Sequence, residues 1–186
     1  MSHFTFQKTS MTGLHVLERS RTNDSRGFLE RLFCQETLTP LFKGKIIRQI
    51  NRTITRKKGT VRGLHFQYPP HGETKIVTCL KGKVWDVAVD LRKGSPTFLK
   101  SYGIELSEEN QKSFLIPEGF AHGFQTLTPD CELLYFHSAD YFAEAEGGVN
   151  ALDPHFAINW PEPIIERSIR DVNHSILSVE FLGLEY

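Results

Sequence analysis

The sequence is poor in cysteine, and its three, Cys34, Cys79 and Cys131, are widely spaced. An odd, scattered set excludes a disulfide framework and a zinc ribbon. Cys79 and Cys131 lie in apolar stretches and are expected to be buried thiols. Long apolar runs are missing too. No stretch can cross a bilayer, and the opening residues, MSHFTFQKTS, lack the apolar core of a secretory leader. The expectation is a cytoplasmic protein with no membrane partner. Charge of neither sign is in excess: lysine plus arginine number 22, as do aspartate plus glutamate. Bulk positive charge therefore does not recruit nucleic acid, although a few arginines suffice for a local anion site. No repeat, low-complexity tract or linker interrupts the chain, and no glycine-rich dinucleotide loop points to a redox cofactor.

What is present is strand. The 186 residues, 39% of them hydrophobic, fit one domain over 1–186 with a substantial core. The run from Lys75 to Leu80 is apolar and β-branched. Lys81-Gly82-Lys83 then turns the chain into Val84 to Leu91, so the two runs are expected to form a hairpin. Within the second run, Val84, Asp86, Ala88 and Asp90 share one face and Trp85, Val87, Val89 and Leu91 the other. Ser113 to Ile116 is a short strand closed by Pro117 and Gly119. Gly123 to Leu127 and Glu132 to Phe136 flank a Thr128-Pro129-Asp130 turn and read as a second hairpin. Helix signals are few: one short segment over 36–42, and a turn within 168–177. Many short strands with regular turns point to an all-β sandwich or barrel. A jelly roll of that kind leaves an open mouth where a small ligand binds.

Four groups of residues carry chemistry. In Gly59 to Gln67, alternation places His65 and Gln67 on one face and Arg62, Leu64 and Phe66 on the other. A single histidine is ordinarily structural, but this one has polar company, and Lys75 lies on the next predicted strand. In Pro117 to Phe124, a turn delivers His122 to the head of a strand. The two histidine segments resemble the paired motifs of the cupin superfamily, with Gln67 standing where a metal cupin has a second histidine. An amide is a poor ligand for a transition metal, so no metal is expected. Tyr135, in an apolar strand, reads alone as a core tyrosine with a satisfied hydroxyl. Asp171 matters if it folds back onto His65, where a carboxylate on one ring nitrogen leaves the other as a base.

Taken in order, these segments resemble the dTDP-4-dehydrorhamnose 3,5-epimerase family over nearly the whole chain. The resemblance begins at Asp24-Ser25-Arg26-Gly27-Phe28-Leu29-Glu30. It runs through Arg62-Gly63-Leu64-His65-Phe66-Gln67 and Val89-Asp90-Leu91-Arg92 to Asp153-Pro154 and Asp171. It implies an all-β double-stranded β-helix, a cupin-like jelly roll with a few short helices. It also implies a homodimer that uses no metal or other cofactor and acts on a nucleotide-linked 4-keto-6-deoxy sugar. By position, His65 matches the base, Asp171 its carboxylate partner, Tyr135 the acid on the opposite ring face, and Lys75 the cation at the enolate oxygen. Arg26, Glu30, Gln49, Asn51 and Arg62 match positions that contact the nucleotide diphosphate and sugar. His122 matches a residue lining the same pocket. The segment around Arg26 and Glu30 is expected to be lent by the neighbouring subunit. The chain departs from many relatives at Phe136, where they carry lysine. Other readings of the same residues are an epimerase acting at C3 or C5 alone, a metal-dependent cupin oxygenase or isomerase, and a binding module without catalysis.

Overall fold

The computed structural model describes residues 4–186. Its strands in chain order are β1 (Phe4–Lys8), β2 (His15–Arg19), β3 (Arg21–Asp24), β4 (Gly27–Glu30), β5 (Gln49–Thr55), β6 (Val61–Gln67), β7 (Lys75–Lys81), β8 (Lys83–Asp90), β9 (Ser101–Ser107), β10 (Lys112–Ile116), β11 (Phe120–Thr126), β12 (Cys131–His137) and β13 (Glu146–Gly148). One six-stranded sheet has the order β1-β2-β10-β7-β12-β5, and a five-stranded sheet the order β13-β6-β11-β8-β9. Every pair within them is antiparallel. Strands β3 and β4 form a separate ribbon. Two helices are short: α1 (Gln35–Leu38), and α2 (Ile169–Asn173), which Ser168 caps by accepting from the Asp171 amide.

Both predicted hairpins are corrected by this topology. β7 and β8 are joined at Gly82, yet β7 pairs with β10 and β12 while β8 pairs with β9 and β11. Strands β11 and β12, joined through Thr128 to Asp130, likewise lie in different sheets. A turn that carries the chain from one sheet to the other needs the same glycine and polar residues as a hairpin turn. The local signal does not distinguish them; only the long-range pairing of β7 with β10 and β12, and of β8 with β9 and β11, does.

Three apolar layers result. Between the sheets lie Val77, Val84, Ala88, Phe114, Phe120, Phe124 and Leu133. The outer face of the five-stranded sheet, Leu64, Val87, Val89 and Leu91 among others, is covered by the C-terminal segment through Val149, Phe156, Trp160 and Leu184. The outer face of the six-stranded sheet packs Ile76, Leu115 and Phe136 under Leu38 and Phe42. The alternation read along β8 is kept: Val84 and Ala88 face inward, and Val87, Val89 and Leu91 face the tail. Cys79 and Cys131 are buried free thiols, and burial pushes the Cys79 thiol up to about 12. Among the described residues no helix is long and apolar enough to cross a membrane.

Candidate active site

Where the inner apolar layer gives out, the facing sheets enclose a polar cavity of about 290 Å³. The six-stranded sheet contributes Gln49, Asn51 and Thr53 from β5, Lys75 from β7, and Tyr135 and His137 from β12. Register explains why they converge: Tyr135 lies opposite Asn51, and His137 opposite both Gln49 and Lys75. The five-stranded sheet contributes His65 and Gln67 from β6 and His122 and Phe124 from β11, with His122 directly opposite His65. Lys75 therefore reaches the cavity from the sheet facing His65, not from an adjacent strand.

Arg62 also lines this cavity, although simple alternation puts it on the other face from His65. A bulge accounts for the difference, since three steps on β6 (Arg62 to His65) oppose two on β11 (Phe124 to His122). Gly63 permits it. Its φ is +112°, and a Cβ there would come within 2.6 Å of the His122 carbonyl oxygen.

His65 Nε2 lies 2.7 Å from Asp171 Oδ1, and the Gly63 amide donates to Asp171 Oδ2 at 3.2 Å. Burial opposes ionisation of Asp171, but these two hydrogen bonds outweigh it and hold its pKa at about 2. Helix α2 exists to deliver this carboxylate. The Arg170 guanidinium sits 3.1 Å from His65 Nε2 and is tied to Glu146 at 2.8 Å. His65 Nδ1 makes no hydrogen bond among the described residues. Across the cavity, Lys75 Nζ pairs with Glu73 Oε1 at 2.7 Å, and Glu73 Oε2 accepts from His137 Nδ1 at 2.7 Å. Burial of Glu73 is outweighed by Lys75 and His137, so its carboxyl is held well below the usual range. Tyr135 is almost fully buried; burial, then the nearby Asp86 carboxylate, push its phenol well above the ordinary value. It packs between the rings of His137 and His122 at centroid distances of 5.9 and 6.1 Å.

The remaining predicted residues divide. Gln49 Oε1 accepts from the Tyr141 amide at 2.9 Å, and Asn51 lies 3.5 Å from His137 Nε2. His122 is held by the fully buried Asp86 at 2.8 Å. Arg26 and Glu30 are not in this cavity. Arg26 projects from the tip of the β3–β4 ribbon, paired with Asp24, while Glu30 is buried against Arg19 and Arg21. Gln67, at the position of a metal-cupin histidine, works as a clamp. Its amide donates to the His71 and Asp140 carbonyls and accepts from the Phe142 amide. His65 and His122 each engage a separate carboxylate. The sequence reading gave no catalytic role to Glu73, His137, Glu146 or Arg170. Only the Glu73–Lys75 spacing hinted at one of them, since alternation places i and i+2 on one side of an extended segment.

The sequence model of the dTDP-4-dehydrorhamnose 3,5-epimerase family matches residues 8–178. This chain belongs to that family. The dTDP-4-dehydrorhamnose 3,5-epimerase of Salmonella typhimurium is 38% identical over 176 residues, spanning 94% of this chain and 96% of that one. The dTDP-6-deoxy-D-glucose-3,5-epimerase of Legionella pneumophila, solved with dTDP-4-keto-L-rhamnose, superposes with a TM-score of 0.92 at 35% identity, covering 99% of each chain. A 3′-monoepimerase from Streptomyces bikiniensis, solved with dTDP-quinovose, gives 0.81 at 33% identity, covering 89% of this chain and 84% of that one. The 3,5-epimerase family fold is thus the jelly roll described above. Phe136, where the chain is expected to depart from many relatives, falls outside the site: its ring faces the outer layer and stacks on Phe33 at 5.3 Å.

Proposed function

We propose that this chain epimerises C3 and C5 of dTDP-4-keto-6-deoxyglucose to give dTDP-4-dehydro-β-L-rhamnose. The observation that carries the reading is the origin of the two proton-transfer groups. His65 rises from the five-stranded sheet and Tyr135 from the six-stranded sheet, and both line one cavity. A sugar ring held between the sheets offers one face to each. His65, oriented by Asp171, removes the proton next to the ketone. The pair of electrons moves onto the C4 oxygen, where the Lys75 ammonium meets the developing charge. Tyr135, kept protonated by its burial, returns a proton to the opposite face. One proton leaves and one arrives, so no electron carrier enters the balance. Arg62, Gln49 and Asn51 stand at the cavity wall to receive the diphosphate and sugar hydroxyls, and His122 closes the floor.

Arg26 and Glu30 fit this reading as parts of a homodimer, with the β3–β4 ribbon reaching a neighbouring subunit's cavity. The exposure of Phe28 and Leu29 on that ribbon, 53% and 74%, supports an interface there. A cytoplasmic enzyme is consistent with three free thiols. Product configuration tests the proposal. Incubation with dTDP-4-keto-6-deoxyglucose should yield a sugar inverted at both carbons by NMR coupling constants. Inversion at C3 or C5 alone would make it a monoepimerase, and an unchanged sugar would overturn the reading.

A further inference from the structure

His174 takes no part in the steps above, yet it lies against the base. The β13–β6 register places Gly148 opposite His65, and the His174 ring fills the space a side chain at 148 would need: a Cβ there would sit 2.1 Å from His174 Nε2. The rings of His65 and His174 are 5.9 Å apart. His174 Nε2 is buried and has no hydrogen-bond partner, which is costly for a polar atom unless something uses it. Potential ligand atoms of His65, Asp171 and His174 all lie within 4.8 Å of one another.

We propose that His65, Asp171 and His174 form a binding site for a borderline-soft divalent cation, Zn²⁺ foremost, whose occupancy inhibits the enzyme. Two imidazoles and one carboxylate suit zinc and its transition-metal neighbours better than magnesium or calcium. Ligand atoms around a tetrahedral zinc stand about 3.4 Å apart, given bonds of about 2.1 Å. The observed separations, from 2.7 Å to at most 4.8 Å, bracket that value. Binding puts the metal on His65 Nε2 in place of the proton shared with Asp171, and the imidazole carries that proton on Nδ1 instead, by exchange through water. Arg170 is the competitor, 3.1 Å from His65 Nε2 and 3.9 Å from Asp171 Oδ1. Its side chain is half exposed and already bonded to Glu146 Oε2, so withdrawal toward Glu146 opens the site. With Nδ1 protonated, His65 has no lone pair left to take a proton from the substrate, so inhibition follows from occupancy with no further conformational step.

Inhibition rests on the proposed epimerase reaction; cation binding does not, and the two are measured separately. Untagged protein is titrated with Co²⁺ alone, followed by its visible d–d absorption, and then with Zn²⁺ as displacer. Zn²⁺ inhibition of turnover is measured in parallel. The parent should bind one Co²⁺ per chain and yield it to Zn²⁺. His174→Ala should lose the bands and raise the inhibitory Zn²⁺ concentration at least about tenfold, with turnover in chelator unchanged. If the alanine variant folds poorly by thermal melt, His174→Gln serves in its place. Absence of stoichiometric Co²⁺ binding, or equal Zn²⁺ sensitivity of parent and variant, would overturn the proposal. Cobalt binding without any turnover of the parent would sink the epimerase reading and leave the cation site standing.

Discussion

Two histidine–aspartate pairs of nearly equal length face each other across the β6–β11 ladder. His65–Asp171 spans 2.7 Å and His122–Asp86 2.8 Å. Their surroundings differ. The His65 side chain is 29% exposed, whereas His122 is 7% exposed and Asp86 not at all. Asp171 receives a backbone amide besides its histidine, and its pKa is held at about 2. Asp86 is left with Oδ2 unpartnered, and desolvation outweighs His122 to push its carboxyl up. A general base must exchange its proton with substrate and water, and must have its imidazolium form stabilised when it takes one. Only the first pair meets both conditions. The second is a buried polar contact that fixes the cavity floor. The same two residue types thus serve as a proton-transfer device in one place and as architecture in the other.

Substitutions within the two pairs should separate these roles. The largest effect is expected for His65→Asn: turnover falls by about 10³-fold or more, with little change in melting temperature. Near-parent kcat would remove His65 as the base. Next, Asp171→Asn should lower kcat by about 10²-fold or more, since an amide cannot stabilise the imidazolium. Asp86→Asn should lower it by less than about tenfold and leave stability unchanged or raised, because a neutral amide escapes the desolvation that burdens the carboxylate. Equal losses at the two aspartates in kcat would erase the distinction. Tyr135→Phe tests the opposite sheet. It should keep exchange of substrate protons with solvent while epimer formation falls by about 10²-fold, and product at the parent rate would return Tyr135 to the core.

The smallest effect concerns acid stability. The Asp171 pKa is lowered in the fold from an ordinary 3.8 to about 2. Such a carboxylate contributes stability that is present above its unfolded value and lost as pH falls through the folded one. The parent should therefore melt about 2–4 °C above Asp171→Asn at neutral pH, and the gap should narrow below pH 4. A gap that widens on acidification would reverse the assigned sign.

Much of this was legible in the sequence, for identifiable reasons. Apolar runs bounded by turn residues identified β7, β8 and β12, and alternation along β8 sorted its side chains onto the correct faces. Sheet membership was not legible, because the turns at Gly82 and at Thr128 to Asp130 have the composition of hairpin turns while crossing between sheets. Arg62 joined the cavity through a bulge that alternation cannot show, although Gly63, the residue that allows it, stood in plain view. Asp171 lies 106 positions from His65, and nothing local says that a five-residue helix carries it back. Glu73 and His137 were given no catalytic role because each sits close to a more conspicuous residue, Lys75 or Tyr135. Arg26 and Glu30 were flagged from the family pattern alone, and a single chain cannot place them in its own cavity.

The central claim is that groups from two facing sheets work on the two faces of one keto sugar. The most direct test is to incubate the protein with dTDP-4-keto-6-deoxyglucose in deuterated water and to locate the label by NMR. Deuterium at both C3 and C5 is the predicted result; its absence from both carbons, in folded protein that still binds the nucleotide, would contradict the account.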